Sequence, residues 1–591
     1  MLKSEKKTKI NIKNDFRRWV TIQEADREVY VTGSGWHGDV YHDVFELASL
    51  VLSAVARCSA IDDFVDFAKK INGSFAIVLK WGSRYVLVAD RLRSIPIFYE
   101  LDQGTVYITN FIDIERYSPL DDKTFKDNIE LLEFICAGYV TGRETLAEGV
   151  YQVQAGEIVC IDENSTADYI QYYEFRHEMN PCCNEEELSS SLYSVIDTVF
   201  DRVAKIVGGR TVVIPLSGGW DSRLIVGMLK RKGITDVICF TYGNKDSSEV
   251  KISKQIAERL DYDWYFVEYT PALWSGWIES EWMDEYWWYS SNAASLPHFQ
   301  DGPAIFELKR DNILPGNCIF LPGHTGDFLS GGHIPREVNE SVCPLPINIM
   351  NYQFRKHYAL WNEKSYYSKI QGKTKTQLLN FTADKNIFAD EFEFWDWKER
   401  QAKYIVNSCR MYEFLGFDWY MPLWDHELMD FYSNVPLELR IAQKLYLRTL
   451  TNSVFTAEAL PLRTIPIANS ELSPVGTLAI IDNPPKKPAK EKFFTTIKIL
   501  ILNFGILSIA RSIKQYFYHP HAHAMGFHCW FSANKDPLTV RFKMLLDDDK
   551  NRMNMFEKAF FKKYGNSKLV NLDCLGILSF VFVNKLFKKK S

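Results

Sequence analysis

The chain has 591 residues and a mass of 68.6 kDa, too much for a single hydrophobic core, so two or three domains are expected. Apolar residues at 46% and charged ones at 24% exclude an intrinsically disordered chain. The net charge of −6 is unevenly divided: residues 461–591 carry 21 Lys and Arg against 9 Asp and Glu, and this basic tail is expected to meet the acidic body of its own chain, with no nucleic acid as partner.

The first residues, Met1 to Lys7, are charged and no apolar run follows, which argues against a secretory signal and for a cytoplasmic protein. Eleven cysteines are scattered without a C-x-x-C pair, and the adjacent Cys182 and Cys183 cannot build a disulfide framework, as suits a reducing compartment. A helix is predicted near Val44–Ser59. The run "GSFAIVLKWGSRYVLVADRLRSIPIFYE" reads as two or three strands with a Gly-Ser turn between them, and "EIVCIDENSTADYIQYYEF" alternates and breaks at polar turn residues. Helical periodicity follows in "EEELSSSLYSVIDTVFDRVAKIV", and a domain boundary is drawn near Pro181.

From about 185 to 470 strands alternate with helices, the pattern of a mainly parallel sheet wrapped by helices. "RTVVIPL" is a buried strand, "DSRLIVGMLKRKG" a helix closed by Gly233, and "DVICFTYG" the next strand. "DNPPKKPAK" at 482–490 reads as a linker into a basic, mostly helical extension. There, "IKILILNFGILSIA" at 497–510 is too short for a bilayer span of about twenty residues, so a buried helix is expected. The lysine-rich end, "LGILSFVFVNKLFKKK", is a candidate for peripheral contact with a membrane surface. "HPHAHAMGFHC" at 519–529 lacks the regular spacing of a metal site, and none is assigned there.

The most informative residues follow the strand "VVIPL": Ser217, Gly218, Gly219, Trp220, Asp221 and Ser222, leading straight into a helix. Small residues let the backbone approach a phosphate chain, the helix N-terminus offers free N–H groups to an anion, and Asp221 can hold the Mg²⁺ that accompanies it. A Ser-Gly-Gly turn alone is also an ordinary tight connection; its position between strand and helix, with an aspartate in register, favours phosphate binding. The run resembles the S-G-G-x-D-S loop of the N-type ATP pyrophosphatases, and the resemblance implies that ATP is cut between the α and β phosphates.

Further matches narrow the likeness. "GHTGDFLSGGH" at 323–333 resembles G-x-G-x-D-E-x-F-G-G-Y, "DWYMPLWD" at 418–425 resembles E-x-R-x-P-F-L-D, and "KLYLR" at 444–448 resembles K-x-x-L-R. These are motifs of the glutamine-hydrolysing asparagine synthetases, in that family's order. "NGSFAIVLKWGSRYVLVADRLRSIPIFY" and "RETLAEGVYQVQAGEIV" resemble their class II glutamine amidotransferase domain, so the likeness covers residues 30–460. It extends to the β-lactam synthetase and lasso-peptide cyclase branch.

The resemblance implies an α/β protein in three parts: a glutaminase-like (Ntn-type) α+β sandwich over 1–180, an ATP pyrophosphatase domain with a parallel sheet over 185–470, and a helical C-terminal extension over 471–591. It implies ATP and Mg²⁺ as cofactors, with Asp221 and Asp327 on the metal. Leu216, Ser217, Gly218, Gly219, Asp221, Ser222, Thr241 and Gly323 would hold the nucleotide, and Lys444 would reach the pyrophosphate.

Two departures matter. A class II glutaminase needs a cysteine directly after the initiator Met, yet Leu2 stands there, the earliest cysteine is Cys58, and "GSGWHGDVYHD" replaces the glutamine-binding run. Glutamine hydrolysis is therefore not expected. In the β-lactam-forming relatives a Tyr–Glu dyad deprotonates the incoming amine, and the matching positions here are His324 and Asp418. A histidine oriented by an aspartate is a competent general base, although His324 could equally donate to ATP phosphates.

The expected reaction is activation of a small-molecule, glycan or peptide carboxylate as acyl-AMP, followed by transfer to an amine or ammonia. Asparagine synthesis with external ammonia and a non-catalytic scaffold are the alternatives.

Overall fold

A computed structural model describes residues 8–102, 105–113, 128–178, 184–278, 280–335, 346–358, 364–379, 388–455, 462 and 465. The basic extension, the 497–510 segment, the histidine run at 519–529, the lysine-rich end and the Cys182–Cys183 pair lie outside the described residues.

Up to residue 171 the chain is strand-rich: β1 (Thr8–Asn11), β2 (Trp19–Glu24), β3 (Arg27–His37), β4 (Val40–His42), β5 (Ile71–Trp81), β6 (Arg84–Ala89), β7 (Phe98–Asp102), β8 (Thr105–Thr109), β9 (Val150–Gln152), β10 (Glu157–Ile161) and β11 (Ala167–Gln171). One sheet runs β11-β10-β6-β5-β3-β2 with β4 on β3, and a second runs β1-β8-β7-β9. Side-chain alternation along β5 explains the layering. Phe75, Ile77 and Leu79 face the helices Val44–Arg57 and Ile61–Ala68, whereas Ala76 and Val78 pack with Tyr99, Val106 and Ile108 of the smaller sheet. Asp43 caps the first of these helices, accepting from the Phe45 and Glu46 N–H groups. Where β3 crosses β5, only glycine fits: a Cβ on Gly33, whose φ is +86°, would lie 2.0 Å from the Ser74 carbonyl oxygen.

The helix Glu185–Val207 leads into β12 (Val212–Pro215), β13 (Val237–Gly243), β14 (Asp263–Glu268), β15 (Ile319–Phe320) and β16 (Asp418–Trp419). They form one sheet in the order β14-β13-β12-β15-β16, every pair parallel. Parallel neighbours need crossovers, which the helices Trp220–Arg231 and Ser248–Leu260 provide. The order places β12 centrally, so its C-terminal end opens where phosphate-binding loops of such sheets sit.

Candidate active site

The loop after β12 is held by its own side chains. The Ser217 N–H donates to Ser222 Oγ (3.1 Å), the two hydroxyls lie 3.0 Å apart, and the Gly219 N–H donates to Ser217 Oγ (3.2 Å). Gly219 is the N-cap of helix Trp220–Arg231 and contributes no side-chain cap, so the first-turn N–H groups have no competing side-chain acceptor from that position. Asp221 sits in that first turn. Leu216 and Thr241 lie behind the loop. The Leu216 N–H donates to the Phe240 carbonyl, and Thr241 Oγ1 is 2.7 Å from both the Leu216 carbonyl oxygen and Ser253 Oγ. Their hydrogen-bonding groups are thus used within the protein, supporting the loop.

The loop after β15 packs directly on the first. A Cβ on Gly323 would come 3.2 Å from the Ser222 nitrogen, and one on Gly326 would come 2.6 Å from Asp221 Oδ1. This closeness brings two aspartates together. The Asp327 N–H donates to Asp221 Oδ2 (3.1 Å), and the Tyr446 hydroxyl donates to Asp221 Oδ1 (2.8 Å). Loss of solvent, then the neighbouring Asp327 charge, push the Asp221 carboxyl up to about 7. Burial opposes ionisation of Asp327 too, but His333 and Arg400 hold it below the ordinary carboxylate range.

His333 is the counter-charge. Its Nε2 lies 3.2 Å from Asp327 Oδ2 and its Nδ1 2.7 Å from Asp396 Oδ2, and although burial disfavours its charge, the two carboxylates raise the imidazole to about 9. Two hard carboxylates whose repulsion is only partly relieved fit Mg²⁺ accompanied by phosphate oxygens. Among the described residues no group of three or more His, Cys, Asp or Glu is placed to hold a metal ion by itself.

One sequence expectation needs correction. His324 and Asp418 do not form a dyad. His324 Nε2 is 2.8 Å from Ser408 Oγ, whereas Asp418 is a 75% exposed side chain paired with Arg210 at 2.7 Å. Asp418 opens β16 opposite Ile319, the first residue of β15, so it stands at the N-terminal end of the strands and His324 beyond their C-terminal end. Burial also brings the His324 imidazole down to about 4, against the opposing pull of Asp327, so it is neutral and weakly basic at pH 7. Lys444 is 55% exposed and its Nζ is 3.2 Å from Glu185 Oε2, a carboxylate shared with Arg448.

Sequence reading passed over Tyr446, two positions beyond Lys444 in the quoted "KLYLR", and His333, the last residue of the quoted "GHTGDFLSGGH". Asp396 and Ser408 carried no signal, since their contacts are made across 63 and 84 residues. In the N-terminal half, Cys58 ends the helix Val44–Arg57, with its thiol 3.2 Å from the Ala54 carbonyl oxygen and raised by burial, then by Asp63. Nothing there activates it as a nucleophile.

With this geometry in place, comparison with known proteins shows what part of the chain is similar to. Residues 197–459 match the asparagine synthase family model. That match covers less than half of the chain, and the likeness it shows is confined to those residues. The chain is similar to the microcin J25-processing protein McjC of Escherichia coli, 24% identical over 290 residues that make up 47% of this chain and 50% of that protein. The chain thus spans about half the length of the curated relative it matches. Two solved structures overlap it at a TM-score of 0.17, too slight to carry an argument. They are an allosteric regulatory enzyme of purine biosynthesis (9% identity, 52% of this chain and 57% of that one) and the glutamine phosphoribosylpyrophosphate amidotransferase of B. subtilis (8%, 57% and 62%).

Proposed function

We propose that the chain is an ATP-dependent, AMP-forming ligase that activates a carboxylate and passes the acyl group to an amine or ammonia. The observation that carries this reading is the meeting of Asp221 and Asp327 at the start of a helix that follows a Ser-Gly-Gly loop. The family match over 197–459 supports it.

In this reading the Ser217–Gly219 loop and the helix N-terminus bind the β and γ phosphates, and Asp221 and Asp327 would hold Mg²⁺, which supplies charge neutralisation as pyrophosphate departs. A substrate carboxylate oxygen attacks the α phosphorus, the bond to the bridging oxygen breaks, and pyrophosphate leaves. The amine nitrogen then attacks the acyl carbon, AMP leaves as its phosphate takes the C–O electron pair, and the amine proton passes to a base. Tyr446 and the Asp327 N–H fix the Asp221 carboxylate, and His333 balances its partner. His324, neutral and held by Ser408, orients toward the nucleotide as a hydrogen-bonding group and no longer depends on Asp418.

The division into a glutaminase-like part (1–180), a synthetase part (185–470) and a basic extension (471–591) belongs to the same reading. Among the described residues no helix is long and apolar enough to cross a membrane. The test is exchange of radiolabelled pyrophosphate into ATP by purified protein, scanned over carboxylates beginning with aspartate. Exchange that depends on one carboxylate and disappears in Asp221→Asn is the expected result; none with any carboxylate, together with no MgATP binding, sinks the ligase reading.

A further inference from the structure

The helix that continues from Phe388–Trp395 widens over Asp396–Ile405 into a π-helical segment, a rare form that recurs at functional sites. One face of this segment is turned toward the loop 323–333. Asp396 Oδ2 meets His333, Gln401 Oε1 is 3.0 Å from Thr325 Oγ1, the Tyr404 ring is 5.6 Å from that of His298, and Ser408 just beyond meets His324. Arg400 lies four residues after Asp396 and four before Tyr404, in the middle of that row.

The cations His333, Lys356 and Arg400 gather around Asp327 and Asp396. His333 is shared by Asp327 and Asp396, and Lys356 donates to Asp396 (3.3 Å) and to the His333 carbonyl oxygen (3.2 Å). Arg400, half-buried, makes no hydrogen bond or ion pair among the described residues. Its charge nonetheless acts on Asp327, His298, Lys356 and Tyr404, which identifies these groups as its surroundings. None of its nitrogens is buried without a partner, so the guanidinium stays open to an incoming anion, and its planar fork matches phosphate oxygens better than any other side chain. Lys444, the cation that sequence pointed to, is occupied by Glu185 at the surface.

We infer that Arg400 is the guanidinium that grips the phosphate oxygens of the nucleotide beside Asp327, and holds pyrophosphate as it leaves. The inference rests on the adenylating reading above, and names the residue that discharges the leaving group's negative charge.

The experiment is calorimetric titration of the purified full chain with magnesium pyrophosphate, and separately with adenosine, for wild type, Arg400→Gln and Arg400→Lys. Arg400→Gln keeps the length of the stem and removes the charge; pyrophosphate affinity is expected to fall about tenfold or more, with Arg400→Lys between, and adenosine affinity and melting temperature unchanged. Should the Gln variant fail to fold, the Lys variant decides by the same comparison, since it loses the fork and keeps the charge. Equal pyrophosphate affinity in wild type and variant overturns the role of Arg400 and leaves the ligase reading standing, as does a parallel loss of adenosine affinity. Wild-type protein that binds neither magnesium pyrophosphate nor MgATP overturns both.

Discussion

Asp221 is the residue on which the site turns, because it accepts from backbone donors and the Tyr446 hydroxyl while facing a second carboxylate. Tyr446 is its most replaceable support. The phenol is buried and its hydroxyl has Asp221 Oδ1 as acceptor at 2.8 Å, so Tyr446→Phe removes a hydrogen bond to a charged group and little packing. Such a bond contributes about 1.5–3 kcal/mol to the folded state, so the melting temperature is expected to fall by a few degrees, and MgATP affinity measured by titration to fall by about tenfold as the Asp221 carboxylate loses its fixed orientation. The legibility of the site differs residue by residue. Ser217, Gly219 and Asp221 are contiguous and announced themselves. Tyr446 was overlooked since a tyrosine in a helical run has packing as its ordinary explanation, and only its approach to Asp221 from 225 residues away gives it a role.

At the scale of elements, helix Gly302–Arg310 begins at Asp301, whose side chain does not cap it. The carboxyl instead accepts from the Tyr412 hydroxyl at 2.7 Å, leaving Oδ1 buried without a partner, and burial raises it to about 6 despite the Tyr412 bond. The folded value lies above the unfolded one near 3.8, so the native state holds the proton more tightly. Below pH 4 both states are protonated and nothing is lost. Between pH 4 and 6 the unfolded state ionises first and stability falls, and above pH 6 the full penalty, roughly 3 kcal/mol at most, is present. Relative to wild type, Asp301→Asn is therefore expected to gain stability as pH rises from 4 to 6 and to hold a constant difference above that, read from melting curves across pH. The helices Glu185–Val207 and Trp220–Arg231 were evident from periodicity, whereas the π-helical turn at Asp396–Ile405 was not, since its extra residue per turn has no compositional mark.

Across the whole molecule, the two strand-bearing halves are joined by buried polar contacts as well as by a continuous apolar core that runs from Trp36 and Leu131 to Val212 and Phe320. Lys403 is one such joint: it is 1% exposed, donates to the Val140 and Gly142 carbonyls at 3.1 and 2.6 Å, and pairs with Glu399 at 2.5 Å. Burial lowers its ammonium to about 8, against the pull of Glu399. Lys403→Met leaves Glu399 buried without its cation and takes the lysine donor from the Val140 carbonyl, while the Gly142 carbonyl keeps Gln152 and Gln154, and is expected to cost about 3–5 kcal/mol in denaturant titration. Lys403→Met combined with Glu399→Gln should recover part of that loss, since the stranded charge is then gone. The contacts Arg17–Glu413, Asn72–Asp425 and Arg91–Asp430 tie the same halves together at longer sequence separations.

By itself the sequence determined the alternation of strand and helix from 185 onward, the strand-turn-helix that carries the phosphate loop, and the three motifs that recur in the asparagine synthase family, because each is written in residues adjacent along the chain. Tertiary structure alone decided which of those residues meet. Asp418 and His324 share a motif logic yet stand at opposite ends of the parallel strands, since a residue's position along a strand, and not its motif, fixes which edge of the sheet it reaches. The same geometry joined Asp221, Asp327, His333 and Tyr446 through contacts between segments that no local pattern connects.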